Sequence, residues 1–148
     1  MTPRVTIGIP TYNRFAMLQE AVAAALALEG HSFDVLISDD GDTPEIRQWS
    51  EALAAKDSRV RYQRNATRLG LAGNWNAVLD AAHGEFVVII GDDDRLLPGF
   101  LKALVPMMEP NVAVAFCNEH FIDQKGARLP EVTDRSTQDY GRNELEHG

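Results

Sequence analysis

Three consecutive carboxylates, Asp92 to Asp94, follow the apolar run Phe86–Ile90 after a single glycine, Gly91. The run shows no polar alternation, which predicts a strand covered on both faces, as in a parallel sheet. Three acids at the end of a buried strand repel one another, and a divalent cation is the simplest way to relieve that repulsion. Mg²⁺ and Mn²⁺ take oxygen ligands, and they share them between one or two carboxylates and a substrate phosphate. The segment therefore indicates either a metal–diphosphate site or a solvated acidic turn in which Asp94 caps the following helix.

Two further polar clusters follow predicted strands. Pro10 to Arg14 come after the first strand, and Asp39 to Asp42 come after the second. Taken singly, each has an ordinary structural interpretation, such as a helix cap at Asn13 or a turn residue before Gly41. Open α/β sheets bind ligands beyond the carboxyl ends of their strands, so three clusters at one such edge together indicate a site.

The chain alternates short β-rich runs with helical stretches, which predicts an α/β fold. We expect a Rossmann-like, mainly parallel sheet with helices on both faces. In the third helix, Trp75, Val78, Leu79 and Ala82 have the spacing of core residues, and Gly84 is expected to end that helix. The predicted strands are 5–9, 35–38, 60–63, 86–90 and 112–117, and the predicted helices are 15–28, one from 44, 71–82 and 98 to about 108.

Composition limits the classes of function. The 148 residues are 45% hydrophobic and carry a net charge of −8, which argues against disorder and against a nucleic-acid or anionic-membrane surface. The single cysteine, Cys117, lies in an apolar run, so we interpret it as a buried, inert thiol. The chain has no apolar stretch of membrane-spanning length and no signal-like start, which predicts a cytoplasmic protein and leaves a peripheral membrane location open.

The pattern changes towards the C-terminus, and we expect two regions. Residues 1–118 form the α/β domain, and residues 119–148 form a polar segment that begins an incomplete acceptor-side region. Phe121 and Ile122, followed by a turn that ends at Gly126, are consistent with a hairpin. From Pro130 onward the sequence is almost wholly polar and is predicted to be loosely ordered.

Together these residues resemble the family-2 inverting glycosyltransferases of the GT-A fold, in the N-terminal part that binds the donor. The resemblance covers roughly residues 4 to 105, in the order and spacing of the family. It implies metal-dependent transfer of a sugar, with inversion, from a nucleoside-diphosphate sugar to a saccharide or lipid-linked acceptor, as in the biosynthesis of cell-surface polysaccharides. The matching segments are Ile9–Arg14, Ser38–Asp42, Asn65 with Gly70, and Asn76–Asp94 with Pro98.

On the nucleobase side, the resemblance implies roles for the first two polar clusters. Tyr12 would pack against the base, and Thr11 would line its pocket together with Pro10 and Asn13. Asp40 would accept a hydrogen bond from uracil N3–H, which makes a UDP-sugar the expected donor.

On the diphosphate side, the resemblance implies a Mn²⁺ or Mg²⁺ ion. Asp93 would be its direct ligand with Asp94 beside it, whereas Asp92 would lie nearer the ribose. Arg68 would lie near the donor, although a solvated loop arginine is the favoured interpretation of this residue. Many relatives carry an acid where this chain has Gly91, which is a departure from the family pattern.

The general base of the family is a carboxylate well downstream in the acceptor-binding half. This chain has no recognisable counterpart, so the base is expected beyond it and residues 1–148 alone are expected to be inactive. The nearby acids are Glu119, Asp123, Glu131 and Asp134.

Three other classes of protein share some of these features. A nucleotidyltransferase would carry a glycine-rich, basic phosphate loop after the first strand, where this chain has Pro-Thr-Tyr-Asn. A Rossmann dehydrogenase is excluded because no G-x-G-x-x-G follows that strand. A non-catalytic donor-binding remnant that acts as a partner-binding domain stays open.

Overall fold

A computed structural model describes residues 4–130 of the chain. Four parallel strands form one sheet in the order β3-β2-β1-β4, and the predicted α/β fold is confirmed. The described residues fall into two compact units, 4–102 and 103–130. The elements in chain order are β1 Val5–Thr11, α1 Phe15–Leu26, β2 Phe33–Asp39, α2 Pro44–Lys56, β3 Val60–Arg64, α3 Gly70–Ala81, β4 Phe86–Ile89, α4 Phe100–Leu104 and a 3₁₀ turn Val105–Met107.

The two central strands explain the apolar runs of the sequence. Every residue of β1 and β2 is buried, because each strand has neighbours on both sides and helices packed against it. The interpretation of the 86–90 run as fully covered was wrong, since Val87 is 38% exposed. Within the described residues β4 pairs with β1 alone, so its other side lacks the neighbour that would bury it.

The direction of the crossovers places helices on both faces, as predicted. The chain runs outward from β1 to β3 through α1 and α2, then returns past β1 to β4 through α3. Because parallel crossovers are right-handed, α3 lies on the opposite face from α1 and α2. A Cβ built at Gly8 would lie 2.1 Å from the Val78 Cγ1 atom, so only glycine allows α3 to approach β1 this closely.

The core of α3 differs from its predicted face. Val78 is fully buried, but Trp75 and Leu79 are 41% and 52% exposed, so their assignment to the core was wrong. Asn74 and Val78, four residues apart, form the buried stripe instead. The Asn74 amide is buried there because it donates to the Ser38 carbonyl near the end of β2. Ala82 is the half-buried C-cap of the helix.

Gly84 does not end α3, which stops at Ala81. A Cβ on Gly84 would lie 2.5 Å from the Thr6 nitrogen and 2.7 Å from the Phe86 carbonyl oxygen. Glycine is therefore required where the chain passes close to β1 before it enters β4.

A buried polar cluster closes the amino edge of the sheet, and we call it the amino-edge trio (Thr6, Asp34 and Arg61). The Thr6 hydroxyl donates to Asp34 Oδ1 at 2.7 Å, and Arg61 Nε donates to Asp34 Oδ2 at 2.6 Å. A second arm of Arg61 donates to the Ala81 carbonyl at the end of α3, at 2.8 Å. The trio thus ties three strands and one helix together.

Two predictions about the second unit were wrong. Residues 112–117 form no strand in the part of the chain that the structure describes, and Cys117 is exposed rather than buried. An apolar run becomes a strand only where it is taken into a sheet, and the sheet formed by β1 to β4 does not include this run. The predicted hairpin is present as an antiparallel bridge between Ile122 and Arg128.

Gly126 adopts a positive φ of 79° in the turn of that hairpin. No helix within residues 4–130 has the length and apolar character needed to cross a membrane.

Candidate functional site

The carboxyl edge of the sheet brings the predicted polar clusters together. Thr11, the last residue of β1, lies opposite Asp39 on β2, and Asp39 lies opposite Arg64 on β3. On the other side of β1, the Thr11 hydroxyl donates to Asp92 Oδ2 at 2.7 Å, across 81 residues of sequence. The segments 10–14, 39–42, 64–68 and 91–94 therefore meet at one edge.

Asp92 lies at the centre of a group of charges that we call the carboxylate cluster (Arg14, Asp92, Asp93 and Asp94). Its side chain is fully buried, while Arg14 Nη2 approaches Asp92 Oδ1 at 2.9 Å and Arg14 Nη1 donates to Asp93 Oδ2 at 2.9 Å. Burial raises the pKa of Asp92, and the neighbouring Asp93 charge adds to this, whereas Thr11 and Arg14 oppose it. One guanidinium therefore bridges two carboxylates of contrasting exposure.

Asp93 and Asp94 fold back over Gly91. A Cβ at Gly91 would lie 2.6 Å from Asp93 Oδ1 and 3.0 Å from Asp94 Oδ2, and the Gly91 N–H donates to Asp94 Oδ2 at 3.1 Å. The hydrogen bond shows that Asp94 closes this turn rather than capping α4. The departure from the family pattern at position 91 is thus accommodated, since the glycine leaves room for both carboxylates that follow.

The donor set of the cluster suits a hard divalent cation that also binds a phosphate. No group of three acidic, histidine or cysteine side chains among the described residues could hold a metal by itself. Mg²⁺ and Mn²⁺ sites that are completed by substrate phosphates need only one or two carboxylates. Asp93 and Asp94 are both exposed, and a cationic group already sits against Asp93, so the residues fit such an ion.

The turn after β2 is held by Asn13. This residue has a positive φ of 57°, and its Oδ1 accepts hydrogen bonds from the Asp42 N–H at 3.2 Å and the Thr43 hydroxyl at 2.8 Å. A Cβ at Gly41 would lie 2.2 Å from that Oδ1 atom, so glycine is required there. Asn13 does not cap α1, because Arg14 is the N-cap residue and makes no side-chain capping bond.

The two acids before Gly41 have different environments. Asp39 is 1% exposed and accepts hydrogen bonds from the Gly41 N–H at 2.9 Å and the Tyr62 hydroxyl at 2.9 Å. Burial and the hydrogen bond to Asp39 raise the pKa of Tyr62. Asp39 is therefore the turn residue, and Asp40 is the acid that faces the neighbouring loop.

Asp40 joins β2 to the start of α3. It accepts hydrogen bonds from the Leu69 N–H at 2.7 Å, the Gly70 N–H at 2.8 Å and the Asn65 side-chain amide at 2.9 Å. Burial opposes ionisation, but these donors and the charge of Arg68 outweigh it and lower the pKa of Asp40. A carboxylate accepts about four hydrogen bonds, so one position remains for a further donor.

Beside Asp40 lies an open pocket of about 180 Å³, which we call the loop pocket. Its volume is below the roughly 300–1,000 Å³ of sites that enclose a whole small ligand, so it suits one part of a nucleotide. The Arg68 guanidinium stacks over the Tyr12 ring at 4.3 Å from its centroid, on the rim of this pocket. The residues that line it are Tyr12, Asp40, Gly41, Asp42, Arg64, Asn65, Ala66, Thr67 and Arg68.

Pro10 takes no direct part in the pocket. It is buried within β1, opposite Ser38 in the register. Sequence reasoning placed Arg14 only at the end of the first polar cluster and missed Asn74. The buried Asn74 amide donates to the Ser38 carbonyl at 3.0 Å, and its Oδ1 accepts from the Ser38 hydroxyl at 2.7 Å and the Asn65 amide at 3.0 Å. The signal that could have identified it is an asparagine four residues before Val78, on the buried stripe of α3.

Comparisons with known proteins find similar sequences and similar folds. The model of the family described as Glycosyl transferase family 2 matches residues 6–146. GalNAc(5)-diNAcBac-PP-undecaprenol beta-1,3-glucosyltransferase from Campylobacter jejuni is 32% identical over 117 residues, which are 78% of this chain and 38% of that protein.

Two solved structures have a similar fold. S. aureus TarS in complex with UDP-GlcNAc superposes with a TM-score of 0.60 at 26% identity, covering 67% of this chain and 29% of that one. Mannosyltransferase PcManGT from Pyrobaculum calidifontis, in complex with GDP-Man and Mn²⁺, gives a TM-score of 0.65 at 24% identity, with 76% and 34% covered. The chain thus spans little more than a third of the length of these proteins at most.

Proposed function

We propose that this chain, which belongs to glycosyl transferase family 2, binds the nucleoside diphosphate of a sugar donor and takes part in transferring the sugar to an acceptor hydroxyl. The observation that carries the proposal is the position of the carboxylate cluster beside the loop pocket, at the ligand-binding edge of a parallel sheet. The loop pocket offers hydrogen-bond acceptors and a stacking surface for a base, and the carboxylate cluster offers ligands for a metal bound to the diphosphate.

Uridine is the nucleoside that the loop pocket suits. Tyr12 offers an exposed ring on which a base can stack, next to the one acceptor position left on Asp40. Uracil presents its N3–H donor there, and the low pKa of Asp40 keeps the acceptor ionised at neutral pH. The related TarS structure contains UDP-GlcNAc, which supports a UDP-sugar as donor.

Asp93 and Asp94 would hold Mn²⁺ or Mg²⁺ on the diphosphate. Such an ion, when bound, stabilises the charge that develops on the leaving diphosphate. Thr11 and Arg14 hold the buried Asp92 in place, so that Asp92 positions the carboxylate cluster. The predicted contact of Asp92 with the ribose would require one of these two contacts to break.

The reaction class is a single displacement at the anomeric carbon, with inversion. The acceptor hydroxyl forms the new bond to that carbon, the bond to the diphosphate breaks, and a carboxylate removes the hydroxyl proton. That base is not assigned within residues 4–130. Asp123 is engaged in the hairpin turn, where its Oδ1 accepts from the Lys125 and Ala127 N–H groups, each at 2.8 Å, and Glu119 is exposed without a described role. Glu131 and Asp134 lie outside the described residues.

The acceptor we propose is a saccharide or a lipid-linked saccharide. The Campylobacter jejuni relative is named for an undecaprenol-linked acceptor, which supports this class and a cytoplasmic or membrane-peripheral setting. The transferase names of the relatives favour an enzyme over a donor-binding remnant.

Titration calorimetry with UDP tests the donor site. We expect UDP to bind in the presence of Mn²⁺ and to bind at least about tenfold more weakly with chelator, because the metal links the diphosphate to Asp93. Asp93→Asn keeps the side-chain size and should remove that tightening, while uridine binding without metal is retained.

Asp80→Asn is the matched control, since Asp80 is an exposed acid on α3 outside the site. It should bind UDP as the unmodified chain does. Equal UDP affinity with Mn²⁺ and with chelator would remove the metal from the proposal, and no UDP binding under either condition would refute the donor site.

A further inference from the structure

Arg14 occupies the place of a cation between two acids. Its Nη2 atom lies 2.9 Å from Asp92 Oδ1, and its Nη1 atom lies 2.9 Å from Asp93 Oδ2. The two arms of one planar guanidinium thus reach two different carboxylates, one fully buried and one 53% exposed. Arg14 is itself half exposed, so this bridge stands at the surface of the site.

The arm towards Asp92 is required by the burial of that acid. Asp92 Oδ1 is buried and contacts Arg14 as an ion pair, without an aligned hydrogen bond among the described residues. Without the guanidinium the Asp92 charge would face Asp93 with the Thr11 hydroxyl and the Tyr12 backbone N–H to compensate it. A buried, uncompensated charge is strongly unfavourable, so this arm is structural.

The arm towards Asp93 has no such requirement. Asp93 is half exposed, and water would solvate it if Arg14 were absent. This arm covers one oxygen of the acid that would ligate the metal. A divalent cation and Arg14 therefore compete for the same negative charge.

We propose, as a consequence of the proposed function, that Arg14 couples metal binding to donor binding. In the absence of donor, Arg14 neutralises Asp93 and weakens its attraction for Mn²⁺ or Mg²⁺. The diphosphate offers the guanidinium a second anion that matches its fork, so Arg14 moves from Asp93 to a phosphate oxygen while it keeps its contact with Asp92. Asp93 is then free for the metal, and metal and diphosphate bind best together.

Mn²⁺ binding without nucleotide is the first measurement. In Arg14→Gln, removal of the competing charge should tighten Mn²⁺ binding about fivefold or more, the lower end of ordinary coupling between linked sites. The second measurement is the factor by which Mn²⁺ tightens UDP binding. This factor should be clearly smaller in Arg14→Gln than in the unmodified chain, because only the direct link of the metal between the diphosphate and Asp93 then remains.

Two further variants control for folding and for net charge. Arg14→Lys keeps a charge for Asp92 but lacks the planar fork, so it should fold and show the same two changes to a smaller extent. Arg4→Gln changes net charge equally at the amino edge, where Arg4 faces Glu85 at 3.6 Å, and should match the unmodified chain in both measurements. Thermal melting establishes that each variant is folded.

The two proposals fail separately. Unchanged Mn²⁺ affinity in folded Arg14→Gln and Arg14→Lys would overturn the role of Arg14, and so would an unchanged coupling factor in either. Absence of UDP binding in the unmodified chain would refute the proposed function, whereas the Mn²⁺ measurement without nucleotide still tests the competition.

Discussion

The two edges of this sheet carry the same three residue types in different surroundings. At the amino edge, Thr6 and Arg61 hold the buried Asp34, and at the carboxyl edge Thr11 and Arg14 hold the buried Asp92. In both places a threonine hydroxyl donates to the acid at 2.7 Å. The arginine side chain is 26% exposed at the amino edge and 50% exposed at the carboxyl edge.

What differs is the second partner of the arginine. Arg61 donates to a backbone carbonyl, which belongs to the fold and cannot leave. Arg14 donates to Asp93, an exposed acid that can exchange the guanidinium for another cation. A buried threonine–aspartate–arginine group is therefore not in itself a sign of function. The second partner of the arginine determines whether the group is purely structural or can exchange one of its contacts for a ligand.

Breaking the amino-edge trio should have the largest effect on stability. Asp34→Ala leaves the Arg61 charge without its partner in a mostly buried position, which typically costs about 3–5 kcal/mol. Asp93→Ala, by contrast, removes an exposed pair and should cost about 0–1 kcal/mol. Urea unfolding of both variants measures the difference. Similar losses in the two would show that the edges are not distinguished by exposure.

A threonine pair sharpens the contrast with a smaller change. The Thr6 hydroxyl donates to Asp34 and accepts hydrogen bonds from the His83 and Gly84 N–H groups, so Thr6→Val leaves several groups unpaired. We expect a loss of about 1–3 kcal/mol. Thr11→Val removes one donor to Asp92 and should cost about 1 kcal/mol. The order of the two melting temperatures tests this, and a lower value for Thr11→Val would contradict it.

The smallest expected effect is a change in how the free energy of unfolding depends on pH. It concerns two acids at the carboxyl edge, Asp92 and Asp40. The raised pKa of Asp92 means that the folded state holds its proton more tightly than the unfolded state. Its contribution to stability is therefore lost as pH rises from about 4, the unfolded value, through the raised value. The lowered pKa of Asp40 acts in the opposite sense, since its contribution is present above about pH 4 and is lost on acidification through the lowered value.

Two amide variants isolate these slopes. Relative to the unmodified chain, Asp92→Asn should gain stability as pH rises above about 4, and Asp40→Asn should lose stability as pH rises towards about 4. The measurement is the free energy of unfolding from urea titrations between pH 3 and 7. Slopes of the same sign in the two variants would contradict the assigned environments.

The four strands of the sheet and the edge where the polar clusters meet were predictable from the sequence because both depend on local patterns. Continuous apolar runs mark β1 and β2, and the polar clusters follow them directly, so the edge where they meet follows from parallel topology. The wrong predictions concern tertiary surroundings. The pattern at residues 112–117 could not reveal that this run stays outside the sheet formed by β1 to β4. Helical spacing could not show that Trp75 and Leu79 face outward.

The hydrogen bonds and ion pairs within the candidate site could not be predicted from the sequence either. The contact between Thr11 and Asp92 joins residues 81 positions apart, and the bridge from Arg14 to Asp93 joins residues 79 positions apart. Such contacts depend on strand register, which residue types alone do not give. The separation of Asp39 from Asp40 likewise depends on Tyr62, which approaches from β3.

Asn74 has a consequence for how a ligand is received. Its amide bonds to Ser38 and Asn65, while Asp40 bonds to the first N–H groups of α3, so the ends of β2 and β3 are fastened to one helix before any nucleotide arrives. The conformational entropy of these loops is therefore lost when the chain folds rather than when it binds. Hydrogen exchange of the Leu69 and Gly70 amides should accordingly be slow without ligand, whereas the exposed Arg68 and Tyr12 side chains remain to be ordered by a bound base.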